Sequence, residues 1–137
     1  MFRRLYHAIQ YSLLAHKVGR LCKQGRYEES LIVLGKMAQL EVSEFMKAGL
    51  VITKANILVK LERYREALRH YNNFIHYHLK DIIIDRDREY LHAYTVLLRD
   101  HTARRLDPSH PITISKQKVL ELGKTATLLV REDYQLD

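Results

Sequence analysis

Residues 16–38 and residues 53–75 carry one recurring pattern, with identical residues at seven of 23 aligned positions. Aligning Tyr27 with Tyr64 also aligns Lys23 with Lys60, Arg26 with Arg63, Glu29 with Glu66, Ser30 with Ala67 and Leu31 with Leu68, a period of 37 residues. Self-similarity at such periods marks supersecondary units that cannot bury their apolar faces singly and therefore stack on one another. A chain built this way is expected to be a binding scaffold, although the repeat itself says nothing of the partner.

With 137 residues the chain is expected to form one domain, large enough to bury roughly two thirds of the surface its unfolded form exposes. Five Gly and two Pro leave little material for turns and hairpins, which favours helices. Cys22 is the one cysteine. It excludes an intrachain disulfide and a thiolate zinc cluster, and it suits the cytoplasm or another reducing compartment. No apolar run reaches the length of a spanning helix and none has the form of a signal-peptide core, so a soluble protein is expected.

The net charge of +7 is unevenly placed. Residues 1–27 carry Arg3, Arg4, Lys17, Arg20, Lys23 and Arg26 with no acid, giving +6, whereas residues 28–137 hold 17 basic and 16 acidic side chains, giving +1. This basic patch is expected to meet an acidic surface on a partner protein. The alternative is docking of the first helix on an anionic membrane surface or on nucleic acid, which salt would weaken steeply. Phe2, Leu5, Ala8 and Ile9 among arginines also fit an import presequence, but the stretch runs straight into the first repeat.

From Phe2 to Lys23, Leu5, Ile9, Leu13, Leu14, Val18 and Leu21 recur at helical spacing, and Gly25 supplies a left-handed cap. A second helix is expected over residues 27–40. Ser43 and Glu44 give the N-cap and first-turn acid of a third, which carries Phe45, Ala48, Val51, Ile52, Ala55, Leu58 and Val59. A fourth starts at Tyr64 and continues through Ala67, Leu68, Tyr71, Phe74 and Ile75. Residues 79–84 suit a short strand or a buried helical turn equally, with a helix end preferred. Asp85 is the expected cap of a fifth helix, about 85–106, striped by Tyr90, Leu91, Tyr94, Leu97, Leu98 and His101. Pro108 and Pro111 make the clearest joint, because each pushes its predecessor out of helical geometry. Thr113 or Ser115 then starts a sixth helix, about 113–131, with Val119, Leu122, Ala126, Leu129 and Val130 on one face. The polar tail 132–137 is expected to fray.

The paired phrases resemble the tetratricopeptide repeat, a helix-turn-helix unit of about 34 residues with small and large residues at fixed places. In the second copy Ala55 and Ala67 fall on small positions, Leu58 and Tyr71 on large ones, and Tyr64 on the turn aromatic. In the first, Leu21, Gly25, Tyr27, Ser30 and Leu34 fit, with Val18 at the small position of the leading helix. Lys17 and Lys54 stand where the family usually has a large apolar residue, and neither copy has its closing proline. The resemblance covers residues 11–79, about half the chain, as repeats at about 11–42 and 48–79. It implies an all-α fold: a single domain, 1–137, in which helix hairpins form a right-handed stack of two repeats closed by C-terminal capping helices.

The resemblance also implies a concave groove, lined by the leading helix of each repeat, that holds a peptide or helix. By alignment its positions are Ser12, Ala15, Gly19, Cys22 and Lys23 in the first copy, and Gly49, Ile52, Asn56, Val59 and Lys60 in the second. The family's chaperone-binding members clamp a C-terminal carboxylate with Lys, Asn and Arg. Here Ala15 and Gly19 replace two of those groups and only Asn56 fits, so a ligand with a hydrophobic face is expected.

Other chemistry finds less support. Gly123, Lys124 and Thr125 spell the end of a phosphate-binding loop, but Lys118 occupies the place of its second glycine. No histidine pair has the i, i+4 spacing of two ligands on one helix face, and His70, His92 and His101 could meet only in space. Cys22 lies within a helix, and no strand-turn-helix surrounds a serine. Tyr64, Tyr71, Phe74, Tyr90 and Tyr94 sit at helical spacings, which reads as core before base stacking. The expected function is therefore non-catalytic, with no metal or cofactor. It is a scaffold, adaptor or chaperone-like module that holds an apolar helix or peptide of another protein, alone or in a homo- or hetero-oligomer. The sixth helix is expected to cap the stack, not to project as a docking element.

Overall fold

The computed structural model describes residues 2–126, and within them every regular element is helical. In chain order these are α1 (Phe2–Lys23), α2 (Tyr27–Met37), α3 (Glu44–Lys60), α4 (Tyr64–Asn73), α5 (Asp85–Leu106) and α6 (Lys116–Gly123). Leu129, Val130 and the tail 132–137 lie outside the described residues. None of the described helices is long and apolar enough to cross a membrane.

α1 packs on α2 as one hairpin, α3 on α4 as a second, and α2 lies against α3. The two turns are copies of each other. Arg26 N donates to Leu21 O at 2.9 Å and Gly25 N to Cys22 O at 3.0 Å; one period later Arg63 N donates to Leu58 O at 2.9 Å and Glu62 N to Val59 O at 3.0 Å. This double closure is the Schellman motif, whose central residue must be left-handed. Gly25 meets that need at φ 72°, as its sequence position predicts, while Glu62 takes φ 60° in the second copy. The next residue is an arginine in both. It enters the following helix at φ −90° in Arg26 and −92° in Arg63, and its Nε donates to the carboxylate three residues on, Glu29 or Glu66, at 2.9 Å each time. That hydrogen bond holds both carboxyl groups below their usual range. Arg63 also reaches Glu28 of the first hairpin at 3.8 Å.

Three apolar clusters form the core. Val18, Leu21, Val33, Leu34 and Met37 close the first hairpin, with Ile57 entering from α3. Ala55, Leu58, Ala67 and Tyr71 close the second. Ser30 and Ala67, equivalent under the period, are both fully buried. Their small size lets helix axes approach closely, and the Ser30 hydroxyl avoids a desolvation cost by donating to Tyr27 O at 2.6 Å. The largest cluster joins Ala48 and Ile52 of α3 to Phe74, Leu79 and Ile82, to Tyr90, Leu91, Tyr94 and Leu97 of α5, and to Val119 of α6. Full burial of one side chain such as Phe74 or Leu97 contributes about 1.5–3 kcal/mol.

Several elements depart from the sequence expectation. α2 stops at Met37, short of residue 40. The helix begun at Tyr64 does not stay α-helical through Phe74 and Ile75: it widens to a π turn over Phe74–His78 and tightens to a 3-10 turn over Leu79–Asp81. Leu79 lies five positions after Phe74, a spacing that leaves a common α-helical face but fits one widened turn, and both side chains reach the largest cluster. Residues 79–84 are thus a helix end. Asp85, the expected cap of α5, is instead its first helical residue behind Ile84, and its Oδ1 accepts from the Arg88 guanidinium. A carboxylate there still complements the helix dipole. α6 is Lys116–Gly123 where 113–131 is expected, residues 127–131 lying outside the described residues, and Ser115 caps it by accepting from Lys118 N at 3.1 Å. Ser43 caps α3 in the same way, from Met46 N at 3.2 Å.

α5 is the most enclosed element. Ala93, Tyr94, Thr95, Val96 and Leu97 are consecutive and all buried, so the helix is covered on every side there, not along one stripe. Thr95 and Thr102 can be buried because their hydroxyls donate back to Leu91 O at 2.7 Å and Leu98 O at 2.8 Å. Ile112, Ile114, Leu122 and Ala126 add a partly buried layer over the same cluster.

Candidate partner-binding surfaces

The ten aligned groove positions fall into two sets that each share a helix face by spacing, one on α1 and one on α3. Their surroundings differ. Ser12, Ala15, Lys23, Gly49 and Lys60 are exposed, and Gly19, Cys22 and Val59 are half-buried. Ile52, at 5% exposure, and Asn56, at 7%, belong to the interior. Three clusters divide the apolar members: Cys22 packs in the first hairpin, Val59 in the second, and Ile52 in the cluster that also contains Tyr94 and Val119. Thus α6 shares a cluster with Ile52 but not with Cys22 or Val59. Asn56 Oδ1 accepts from the Tyr71 hydroxyl, while its Nδ2 is buried with no hydrogen-bond partner among the described residues, a cost of roughly 1–3 kcal/mol. A Cβ built on Gly19 or Gly49 meets nothing within 4 Å, so neither glycine is demanded by the chain's own packing.

The basic patch divides as well. Arg26 is spent on Glu29, and Arg3 pairs with Glu41 at 3.1 Å. Arg4, Lys17, Arg20 and Lys23 are exposed and enter no ion pair among the described residues. On the same helix Phe2, Leu5, Tyr6, Ile9 and Leu13 are exposed large hydrophobic residues. The sequence counts Leu5, Ile9 and Leu13 in one stripe with Leu14, Val18 and Leu21; the structure separates them, burying the second group against α2 and leaving the first in solvent.

Another polar group sits at the joint after α5. Asp100 is 2% exposed, and its Oδ1 meets His110 Nε2 at 3.0 Å and Arg99 Nε at 3.2 Å. Arg104 Nε donates to His110 O at 2.8 Å. Asp107 Oδ1 accepts from Ser109 Oγ at 2.7 Å and Ser109 N at 3.1 Å, which lowers its pKa. Together these bonds strap the Pro108–Pro111 break to α5. No spacing rule links an aspartate inside a helix to a histidine beyond a proline joint, so the sequence reading passes over the pair. Among the described residues no three or more His, Cys, Asp or Glu side chains are grouped to hold a metal ion. None of the family models, curated proteins and solved structures compared with the chain matches it.

Proposed function

We propose that the protein is a non-catalytic interaction scaffold of tetratricopeptide-like architecture, an adaptor or chaperone-like module whose right-handed stack of hairpins holds an apolar helix or peptide of another protein. The observation that carries this reading is the duplicated hairpin, in which turn hydrogen bonds, left-handed residue, entry arginine and Arg–Glu clasp all recur after 37 residues. Duplicated hairpins stack into a surface that is large for the size of the chain and suited to binding. In this reading Ser12, Ala15, Gly19, Lys23, Gly49 and Lys60 form the accessible wall of the groove, Ile52 and Asn56 its floor, and α6 the cap. Cytoplasm or another reducing compartment suits the half-buried thiol of Cys22.

The test uses Gly19→Arg and Gly49→Arg in the full chain. Open space surrounds both positions, and replacing a helical glycine relieves about 0.5–1 kcal/mol of backbone entropy cost, so melting temperatures stay at or above the parent value. Partners captured by the parent and identified by mass spectrometry are expected to be lost from both variants. Partners retained at undiminished affinity by both would refute the groove.

A further inference from the structure

We propose that the first half of α1 is an interfacial anchor that lays the scaffold on an anionic lipid bilayer. α1 has 22 residues and α2, which it pairs with, has 11. At 1.5 Å per residue the N-terminal turns of α1 overhang the hairpin by roughly 16 Å. One side of the overhang is held by the chain itself. Arg3 pairs with Glu41, His7 Nδ1 accepts from Glu41 N at 2.7 Å, and the Tyr11 hydroxyl donates to Met46 O at 3.0 Å.

Among the described residues nothing packs over the opposite side. Phe2, Leu5, Tyr6, Ile9 and Leu13 are spaced to share one helix face, and their exposures run from 53% at Ile9 to 81% at Phe2. Continued along the helix, the same face carries His16, Lys17, Arg20 and Lys23, all exposed. An apolar ridge therefore runs into a cationic one, on a helix with no acid anywhere.

Charge and shape together select the occupant. A second copy of this chain would bring two acid-free helices, each within a +6 segment, against one another, and like charge opposes that. An acidic folded protein would need a groove cut to fit five protruding side chains. A bilayer is fluid and accepts a convex ridge of any outline. Interfacial helices sink their apolar face about 5–10 Å, within reach of Phe, Tyr, Leu and Ile side chains, and each Lys or Arg near an anionic leaflet adds attraction. This docking needs no spanning helix, and it uses a face beside the proposed groove that shares only Lys23 with it.

The test is flotation of the full chain with vesicles of phosphatidylcholine alone and of phosphatidylcholine with about one third phosphatidylserine. The chain has no tryptophan, so Phe2→Trp places a single indole reporter on the ridge. Expected are flotation with the anionic vesicles only, a blue shift of Trp emission, and release as NaCl rises from about 0.05 to 0.5 M. Ile9→Ser/Leu13→Ser and Lys17→Gln/Arg20→Gln should each lower partitioning by roughly tenfold or more, with melting temperatures unchanged. Absence of flotation, equal flotation with both vesicles, or insensitivity to both double variants would overturn the proposal. A concentration-dependent dimer abolished by Ile9→Ser/Leu13→Ser would overturn it in favour of a second copy. Duplex DNA binding that Ile9→Ser/Leu13→Ser leaves intact, without vesicle binding, would overturn it in favour of nucleic acid.

Discussion

Gly25 and Glu62 occupy the same left-handed position in two otherwise matching turns, and exchanging their chemistry measures how closely the turns agree. A side chain with a Cβ pays about 1–2 kcal/mol in that backbone region. Glycine avoids this but frees the unfolded chain, which returns about 0.4–1 kcal/mol. The difference predicts that Glu62→Gly stabilises the protein by roughly 0.5–1 kcal/mol. Nothing offsets the gain, because the Glu62 carboxylate enters no ion pair among the described residues. The reverse change, Gly25→Ala, is equally clean: an added Cβ meets nothing within 4 Å, so its cost of about 1 kcal/mol is backbone conformation alone. For a chain of this size 1 kcal/mol moves the melting temperature by about 3–5 °C. Thermal melts followed by helical circular dichroism should therefore rise by about 2–4 °C for Glu62→Gly and fall by about 3–5 °C for Gly25→Ala. Urea titration should show the same signs at constant slope. A Glu62→Gly protein that melts below the parent, or a Gly25→Ala protein that melts with it, would show that the turns are not equivalent.

Ala67→Leu and Ser30→Leu should each cost on the order of 1–3 kcal/mol, since both sites are fully buried at helix contacts; a melt matching the parent would contradict that packing. His110→Ala leaves Asp100 buried with Arg99 as its remaining ion-pair partner and should cost roughly 1–3 kcal/mol in a urea titration, whereas no loss would mean that the joint is held by its apolar residues. Burial, with Lys54 and Arg69 nearby, lowers the pKa of His70 below its ordinary value. The folded state therefore binds this proton less readily than the unfolded state. Its contribution to stability is present above about pH 6.5 and is lost as pH falls through the folded value. His70→Gln should flatten the melting temperature between about pH 7 and 5, and an unchanged pH slope would remove His70 from the cause.

What the sequence reveals here is what depends on near neighbours along the chain. Gly25, Ser43 and the aligned Arg26 and Arg63 act within one turn, so their positions predict the hairpin geometry. Glu62 gives no such sign, because its left-handed conformation is imposed by the closure between Leu58 and Arg63. The run 79–84 is ambiguous in sequence because Ile82, Ile83 and Ile84 suit a strand and a buried turn alike, and the structure buries Ile82 alone of the three. The enclosure of α5 depends on how many elements surround it, and nothing local to Thr95 or Asp100 records that number. The candidate surfaces divide in the same way. Spacing puts Gly49, Ile52 and Asn56 on one face, but whether a face is open depends on the helix lying over it. Likewise the apolar residues of α1 make one stripe in sequence and two faces in space, because α2 ends at Met37 and leaves the first turns uncovered.

The α1 end and the α5 end of the chain differ in how their apolar residues are covered. At the α5 end a non-repeating helix, a strap bonded through Asp100 and His110, and Val119 of α6 close the core. At the α1 end no described residue covers Phe2, Leu5, Ile9 or Leu13. If the hairpins stack as proposed, an apolar end that no described residue covers invites copies to join end to end. Charge of one sign along that helix opposes such growth, since every approach of a second α1 adds repulsion. The same charge attracts any anionic surface that offers an apolar interior beneath it. Under the proposed bilayer docking, gathering +6 into residues 1–27 while the remainder carries +1 acts together with the exposed apolar ridge: like charge opposes the approach of a second α1, and an anionic surface attracts it.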